Sequence, residues 1–462
     1  MKRNNSSKIE LIVICIVYLL ICLSFVVIKR PTESVLENRN LEKFPENISV
    51  ETILSGKYFS EIDKWYSDTI PFRDNIMSLS YRLKNINGVT TKIDLNDIRL
   101  EKRVNEEVKA TRSTASASVA IKELLVEAEE EKVEEVDNAP IGEDYTLTKG
   151  IAVYTDKGGL RAVEEFPGYR NGDEVYSYTI NLYKERFKDK NVYSMIIPTS
   201  VAYYCPDELK KIFASEEKCI ENLNSFLSDD VIKVDVYNVL KNHVDEDIYL
   251  RTDHHWSPLG AYYAAEEFAK LAKVKFNSIE DSYEKGEVEK YYGSLYRLTG
   301  NERLKDSYEK FTYYLPKNIK YTMLQYKYVL NERGVPVDKI LPEGKADYFN
   351  FFSNLDTRAY QIYLGNDNNT SRLIMQDNRI NRNLLILKDS FGNPIPSYLF
   401  YGFDTIHIID FRYFLDNIEK YVNENYITDI LFINSVTNCI KDRASVNYRR
   451  FLEQNYEETK VE

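Results

Sequence analysis

Residues 384–400 read LLILKDSFGNPIPSYLF. Leu384 to Leu387 form an unbroken apolar run closed by Lys388, Asp389 and Ser390. Such a run marks a strand covered on both faces, as in a parallel sheet layered between helices. Two similar runs follow, DTIHIID at 404–410 and DILFINS at 429–435. Two precede it, NVYSMIIP at 191–198 and VIKVDVY at 231–237. A helix is expected through about residues 206–228. Another opens in RTDHHWSPLGAYYAAEEF (251–268), with Ser257 as N-cap and Pro258 at the first helical position. The preceding DIYLRTDHHW reads as extended. Residues 275–380 are Tyr-rich and show no clear period, and there is no internal repeat. The alternation of strands and helices predicts an α/β fold, a parallel sheet flanked by helices, over residues 149–462.

The rest of the chain sets the compartment. Leu11 to Ile28 carries no charge and is followed abruptly by Lys29 and Arg30. Without a small-x-small cleavage site, residues 1–30 read as an uncleaved signal anchor, a transmembrane helix with its basic end (Lys2, Arg3, Lys8) in the cytoplasm. Residues 31–100 form a mixed juxtamembrane region with aromatic anchors. Residues 101–148 read as an acidic low-complexity insert or linker. Its stretch EVKATRSTASASVAIKELLVEAEEEKVEEVDNAP has no aromatic residue and suits a solvated helix or tether.

Over all 462 residues the net charge is −12, which disfavours nucleic acid as a partner. The 37 tyrosines and 21 phenylalanines suit stacking on sugars, although AT-rich coding produces the same composition. Cys15 and Cys22 lie in the apolar run, and Cys205, Cys219 and Cys439 show no zinc-site spacing. No cofactor is expected.

Ligands of open parallel sheets bind beyond the carboxyl ends of the strands. Ser390 stands at such an end, on a strand-to-helix turn that exposes its hydroxyl near a helix N-terminus; serines also cap helices for structural reasons alone. In extended backbone, Asp253 and His255 project to one side. The aspartate can then fix the imidazole tautomer and leave the other ring nitrogen free as a base. On this geometry His254 points away and Trp256 walls the site against water. Adjacent histidines diverge, and His243 and His407 offer no paired ligand spacing, so no metal is expected.

TDHHWSPLGAYYAA (252–265), KDSFGNPIPSYLF (388–400) and IIDFRYF (408–414) resemble motifs of the DHHW family. That family is similar to periplasmic alginate O-acetylation proteins with an SGNH-hydrolase-like domain. ENRNLEKFPE (37–46) and DTIPFRDNIMSL (68–79) resemble its N-terminal motifs. The resemblance implies a circularly permuted SGNH-like sheet, with Ser390 as nucleophile, His255 as base and Asp253 as its orienter. Arg412 stands near the place of the oxyanion-hole glycine and Asn434 near that of the asparagine. Arg412 could instead pair with Asp410, and Asn434 could cap a turn. Gly365 and Asn366, in YLGNDNN, are further candidates, and Lys388 replaces a glycine found before the Asp-Ser pair in many relatives.

The implied activity is that of a membrane-anchored extracytoplasmic O-acetyltransferase or esterase acting on an exported polysaccharide. Its implied partners are a membrane-bound O-acyltransferase and a glycan synthase, with residues 275–380 as the acceptor groove. The rival reading is a non-catalytic envelope scaffold or glycan-binding subunit. What separates the two is whether Ser390, His255 and Asp253 come within hydrogen-bonding reach.

Overall fold

The computed structural model describes scattered positions between residues 33 and 70 and then residues 146–454, apart from 149, 157, 169–172, 212, 331–335, 366 and 368. The expected anchor over residues 1–30 and the acidic stretch up to residue 145 lie outside the described residues. Among the described residues no helix is long and apolar enough to cross a membrane. Contacts divide the chain into two units, Met1–Glu143 and Asp144–Glu462. In the first, β1 (Glu33–Ser34) pairs antiparallel with β2 (Arg39–Asn40).

The second unit opens with β3 (Thr146–Thr148), β4 (Ile151–Asp156) and β5 (Gly159–Glu164), a small antiparallel sheet. Eight further strands form the main sheet: β6 (Asn191–Ile197), β7 (Ile232–Val234), β10 (Tyr321–Leu330), β11 (Pro336–Ala346), β12 (Asn369–Met375), β13 (Asn383–Lys388), β14 (Thr405–Asp410) and β15 (Asp429–Ser435). Between them β8 (Tyr283–Tyr291) and β9 (Glu309–Pro316) pair as a separate antiparallel ribbon. The order across the main sheet is β11-β10-β12-β14-β13-β15-β6-β7. From β14 to β7 all neighbours are parallel.

Side chains alternate between two cores. Leu384, Ile386, Ile406, Ile408, Leu431 and Ile433 pack with the helix Pro258–Ala272. Leu385, Leu387, Ile409, Ile430 and Phe432 face the helices Asp173–Arg186, Glu216–Ser225 and Asp442–Glu453. Each buried aliphatic side chain contributes roughly 1.5–3 kcal/mol, and both faces need covering, which is why these strands read as unbroken apolar runs.

Three expectations need correction. The sheet is mixed, because β12, β10 and β11 extend it antiparallel beyond β14. These strands come from the Tyr-rich region; β10 and β12 mix half-buried with buried residues and β11 is largely exposed where described, so they lack the continuous apolar signal. The helix expected over 206–228 is two, Asp207–Lys210 and Glu216–Ser225; Ser215 restarts it by accepting from Lys218 N at 3.3 Å. The strand at 231–237 stops after Val234, since the Asp235 carboxylate accepts from Asn238 N at 3.1 Å and opens the helix Val236–Lys241.

Candidate active site

Ser390 follows β13, which lies between the parallel strands β14 and β15, and begins a short 3-10 turn, Ser390–Gly392. The neighbouring Asp389 anchors that turn. Its carboxylate accepts from Phe391 N (3.0 Å), Ser435 N (2.8 Å), Ser435 Oγ (3.0 Å) and Asn438 Nδ2 (2.7 Å). The end of β13 is thereby fastened to the end of β15.

The histidine block arrives from a different element. Residues 251–255 are not extended: they form a loop closed by a Tyr249–Trp256 bridge and by Ser257 N donating to Ile248 O at 2.9 Å. Gly260, in the helix that follows, passes so close to Ile248 O that any Cβ there would collide with it. Within the loop Asp253 Oδ1 accepts from His255 N at 3.0 Å and faces His255 Nδ1 at 2.7 Å. Asp253 and His255 do meet, by this local turn and not by the alternation of an extended strand. His255 Nε2 lies 2.8 Å from Ser390 Oγ. A carboxylate only accepts, so Nδ1 carries the proton and Nε2 accepts from the Ser390 hydroxyl.

The environment keeps Asp253 and His255 in complementary ionisation states. Burial alone would raise the Asp253 carboxyl, but the charge and hydrogen bond of His255 outweigh it and hold it well below its ordinary 3.8. For His255, burial and then repulsion from His254 push the imidazole down to about 4, against the pull of Asp253. At neutral pH the ring is neutral, the form a general base requires.

His254 does not point away. Its ring centroid lies 3.8 Å from that of His255, and its Nδ1 is 2.5 Å from Ser294 Oγ. The backbone N–H of Ser294 donates in turn to Asp253 Oδ2 at 2.8 Å. Asp253, His254 and His255 present three ligand-type atoms within 4.8 Å of one another. Of these groups, the Nδ1 atoms are engaged in hydrogen bonds to Asp253 and Ser294.

Trp256 is fully buried and donates Nε1–H to Phe391 O at 2.9 Å. It therefore braces the Ser390 turn from the core and does not wall an opening. Tyr360, unforeseen in the sequence, donates its hydroxyl to Ser390 O at 3.0 Å and stacks on His255. Tyr291 and Ser294, also unforeseen, hold the second oxygen of Asp253. Their only signal was position within the Tyr-rich region, which has no period to read.

Among the described residues, neither oxyanion-hole candidate hydrogen-bonds to Ser390; both are held by other partners. Asn434 shares the face of Ile430 and Phe432, and its Oδ1 accepts from Tyr176 (2.8 Å) and Tyr448 (2.9 Å) on the far side of the sheet from Trp256 and Phe391. Arg412 pairs with Asp410 through Nε and Nη2, both at 2.7 Å, and with Asp367 at 3.0 Å. Lys388 Nζ reaches the same two carboxylates, at 3.1 Å (Asp367) and 3.3 Å (Asp410). Lys388 thus completes a partly buried ionic cluster with Asp367, Asp410 and Arg412. Gly365 sits at a left-handed turn with φ 73, and Asn366 lies outside the described residues.

The fold and site define an α/β protein whose serine, histidine and aspartate are hydrogen-bonded in series at the carboxyl end of its sheet. The chain belongs to the DHHW family: residues 37–114 and 162–409 match the family described as DHHW protein. A DHHW family protein from Eubacterium siraeum DSM 15702 is 30% identical over 67% of this chain and 98% of its own, with a TM-score of 0.59. Bacillus cereus PatB1, solved with a sulfonyl adduct, is 21% identical over 63% of this chain and 97% of its own, with a TM-score of 0.50. The O-acetyltransferase domain of Pseudomonas putida AlgJ aligns over 65% of this chain and 98% of its own, at 10% identity and a TM-score of 0.33. A comparison with curated proteins found no match.

Proposed function

We propose that this protein is an extracytoplasmic O-acetyltransferase or esterase of the circularly permuted SGNH type, acting on an exported polysaccharide and held to the membrane by residues 1–30. The observation that carries the reading is the position of His255, 2.7 Å from Asp253 and 2.8 Å from Ser390. Ser390 Oγ attacks the carbonyl carbon of an acetyl donor while His255 Nε2 takes its proton. The donor's leaving group departs with that proton, leaving acetyl-Ser390. A sugar hydroxyl, or water, then attacks the acetyl carbon; its proton passes through His255 back to Ser390 Oγ. With Asn434 turned away, the oxyanion falls to the backbone N–H of Ser390, since those of Phe391, Gly392 and Asn393 donate to Asp389 and to Ser390 O. A membrane-bound O-acyltransferase would supply the acetyl group and a glycan synthase the acceptor.

The test uses the full chain in detergent with p-nitrophenyl acetate as donor and oligosaccharides as acceptors. Turnover should vanish equally in Ser390→Ala and His255→Ala, because the two act as a unit. His254→Ala should cost less, and a chelator should change nothing. Sugar acetylation, read by mass spectrometry, separates transferase from esterase. A folded wild type with no turnover, or with turnover surviving in Ser390→Ala, overturns the enzyme reading in favour of a scaffold.

A further inference from the structure

The ring of Tyr360 lies over the imidazole of His255, with centroids 3.9 Å apart and planes inclined by 9°. The ring of His254 is 3.8 Å from the same imidazole, inclined by 36°. Two rings cannot share one face at that spacing, so His255 is sandwiched, with Tyr360 on one side and His254 on the other. Both Tyr360 and His255 are buried. Burial also pushes the Tyr360 phenol well above its ordinary 10, so the ring carries no charge of its own. Its hydroxyl, donated to Ser390 O at 3.0 Å and Phe391 O at 3.4 Å, fixes the ring in place.

Building on the acyl-transfer reading above, we propose that Tyr360 is a catalytic residue whose ring face stabilises the imidazolium that His255 becomes when it takes the Ser390 proton. A neutral imidazole meets that face only through dispersion. Once protonated, it presents a positive charge to the negative face of an aromatic ring at contact distance, in a site sheltered from water. The interaction therefore strengthens as the transition state forms, which is the condition for raising kcat and not merely tightening binding. The other charged or titratable groups acting on the imidazole are Asp253, His254 and, more distantly, Asp367. Asp253 is in hydrogen-bond contact at Nδ1, and His254 occupies the opposite face. The Tyr360 face is left to the aromatic ring.

Two substitutions separate the face from the hydroxyl. Tyr360→Phe keeps the face and loses the tether to Ser390 O; Tyr360→Leu keeps much of the apolar volume and loses the face. Each is assayed in the full chain for acetyl-ester turnover and, independently, for the rate at which phenylmethylsulfonyl fluoride labels Ser390. In that labelling Ser390 Oγ bonds to sulfur, fluoride leaves, and the serine proton goes to His255, so the same imidazolium forms without an acetyl group.

The Phe variant should stay within about threefold of wild type, and the Leu variant should fall about tenfold in both assays, the scale of a desolvated cation–π contact. In the Leu variant alone, the acid limb of the pH–rate profile should move to lower pH, since the protonated ring has lost a partner. A Leu variant matching the Phe variant, with an unchanged melting temperature, overturns the proposal. So does a Phe variant as slow as the Leu variant, which would transfer the effect to the hydroxyl. If wild type is labelled but turns over no acetyl ester, the acyl-transfer reading fails while the labelling ratio still decides the role of Tyr360. If wild type is not labelled, both fall.

Discussion

Tyr291 donates its hydroxyl to Asp253 Oδ2 at 2.7 Å, from 38 residues downstream and from the end of β8. With Ser294 N on the same oxygen and His255 on the other, the buried carboxylate has a donor for each of its faces. An ionised group with so little water needs such donors to stay charged. The orientation of His255 therefore depends on the β8 end as much as on the histidine loop itself.

Tyr291→Phe should lower kcat about tenfold with KM little changed, the factor carried by one weaker-end hydrogen bond to a charged group. The ring keeps its packing against Phe311, at 5.3 Å, so the fold should survive. Combined with Asp253→Asn, the loss should be far from additive, because both substitutions act on one interaction. Steady-state kinetics of the four proteins checks this; additive losses would separate Tyr291 from Asp253.

Gly293 lies between Tyr291 and Ser294, against the backbone of the histidine loop. A Cβ at this position would overlap Asp253 Cα and Cβ and Thr252 O. Gly293→Ala should therefore push Asp253 off His255 and reduce turnover more than Tyr291→Phe does. Turnover equal to wild type would mean the loop moves aside at no cost.

How much of this was legible in the sequence follows from where each signal resides. Leu384–Leu387, Asp429–Ser435 and Asn191–Ile197 declare themselves because a strand covered on both faces must be apolar throughout. Ser390 stands out because it closes such a run, and Asp253 and His255 because two of the chain's four histidines stand together behind an aspartate, just before a capped helix. His254 lies beside His255 and not opposite it, because Asp253 caps the backbone of His255 and turns the chain where the sequence reads as extended. β10 and β12 escaped notice because their tyrosines and threonines are apolar on one side and hydrogen-bonding on the other, as Tyr328 is to Thr370 at 2.7 Å. Tyr291 and Tyr360 are single contacts over long sequence separations, which leave no local pattern.

Arg412 and Lys388 differ in what their loss should do. The Lys388 side chain is 1% exposed, and Asp410, one of its two partners, is fully buried. Lys388→Met removes a buried cation from two carboxylates and should destabilise by about 3 kcal/mol in denaturant titration. Arg412→Ala should cost less stability and less than tenfold in turnover, because its donors already face Asp410 and Asp367. A loss of 10²–10³ in kcat, on the scale of a missing oxyanion donor, would restore Arg412 to the catalytic site.

The pH dependence of turnover follows from His255. Only the neutral ring accepts the serine proton, and burial with repulsion from His254 sets its protonation at about 4. Activity should be flat from about pH 5.5 to 8 and fall as pH drops through about 4. His254→Gln removes the repelling neighbour, so the acid limb should shift upward. A limb unmoved in that variant would mean that His254 does not set the protonation of His255.

A different group governs stability at neutral pH. Glu216 is buried and accepts from Thr199 N at 2.7 Å and Thr199 Oγ1 at 2.6 Å, with no cation against it among its described partners. Burial outweighs these bonds and raises its carboxyl from 4.5 to about 7. A group with a raised folded-state value binds more protons folded than unfolded, so its contribution is fully present below about 4.5 and is lost as pH rises through about 7. Glu216→Gln keeps an acceptor for Thr199 and removes the titration. Relative to wild type, the variant should gain about 2–3 kcal/mol between pH 4.5 and pH 8, at about 1.4 kcal/mol per pH unit of difference. Denaturant unfolding of both proteins at the two pH values measures the change. A constant difference across that range would mean that Glu216 titrates alike in the folded and unfolded chain.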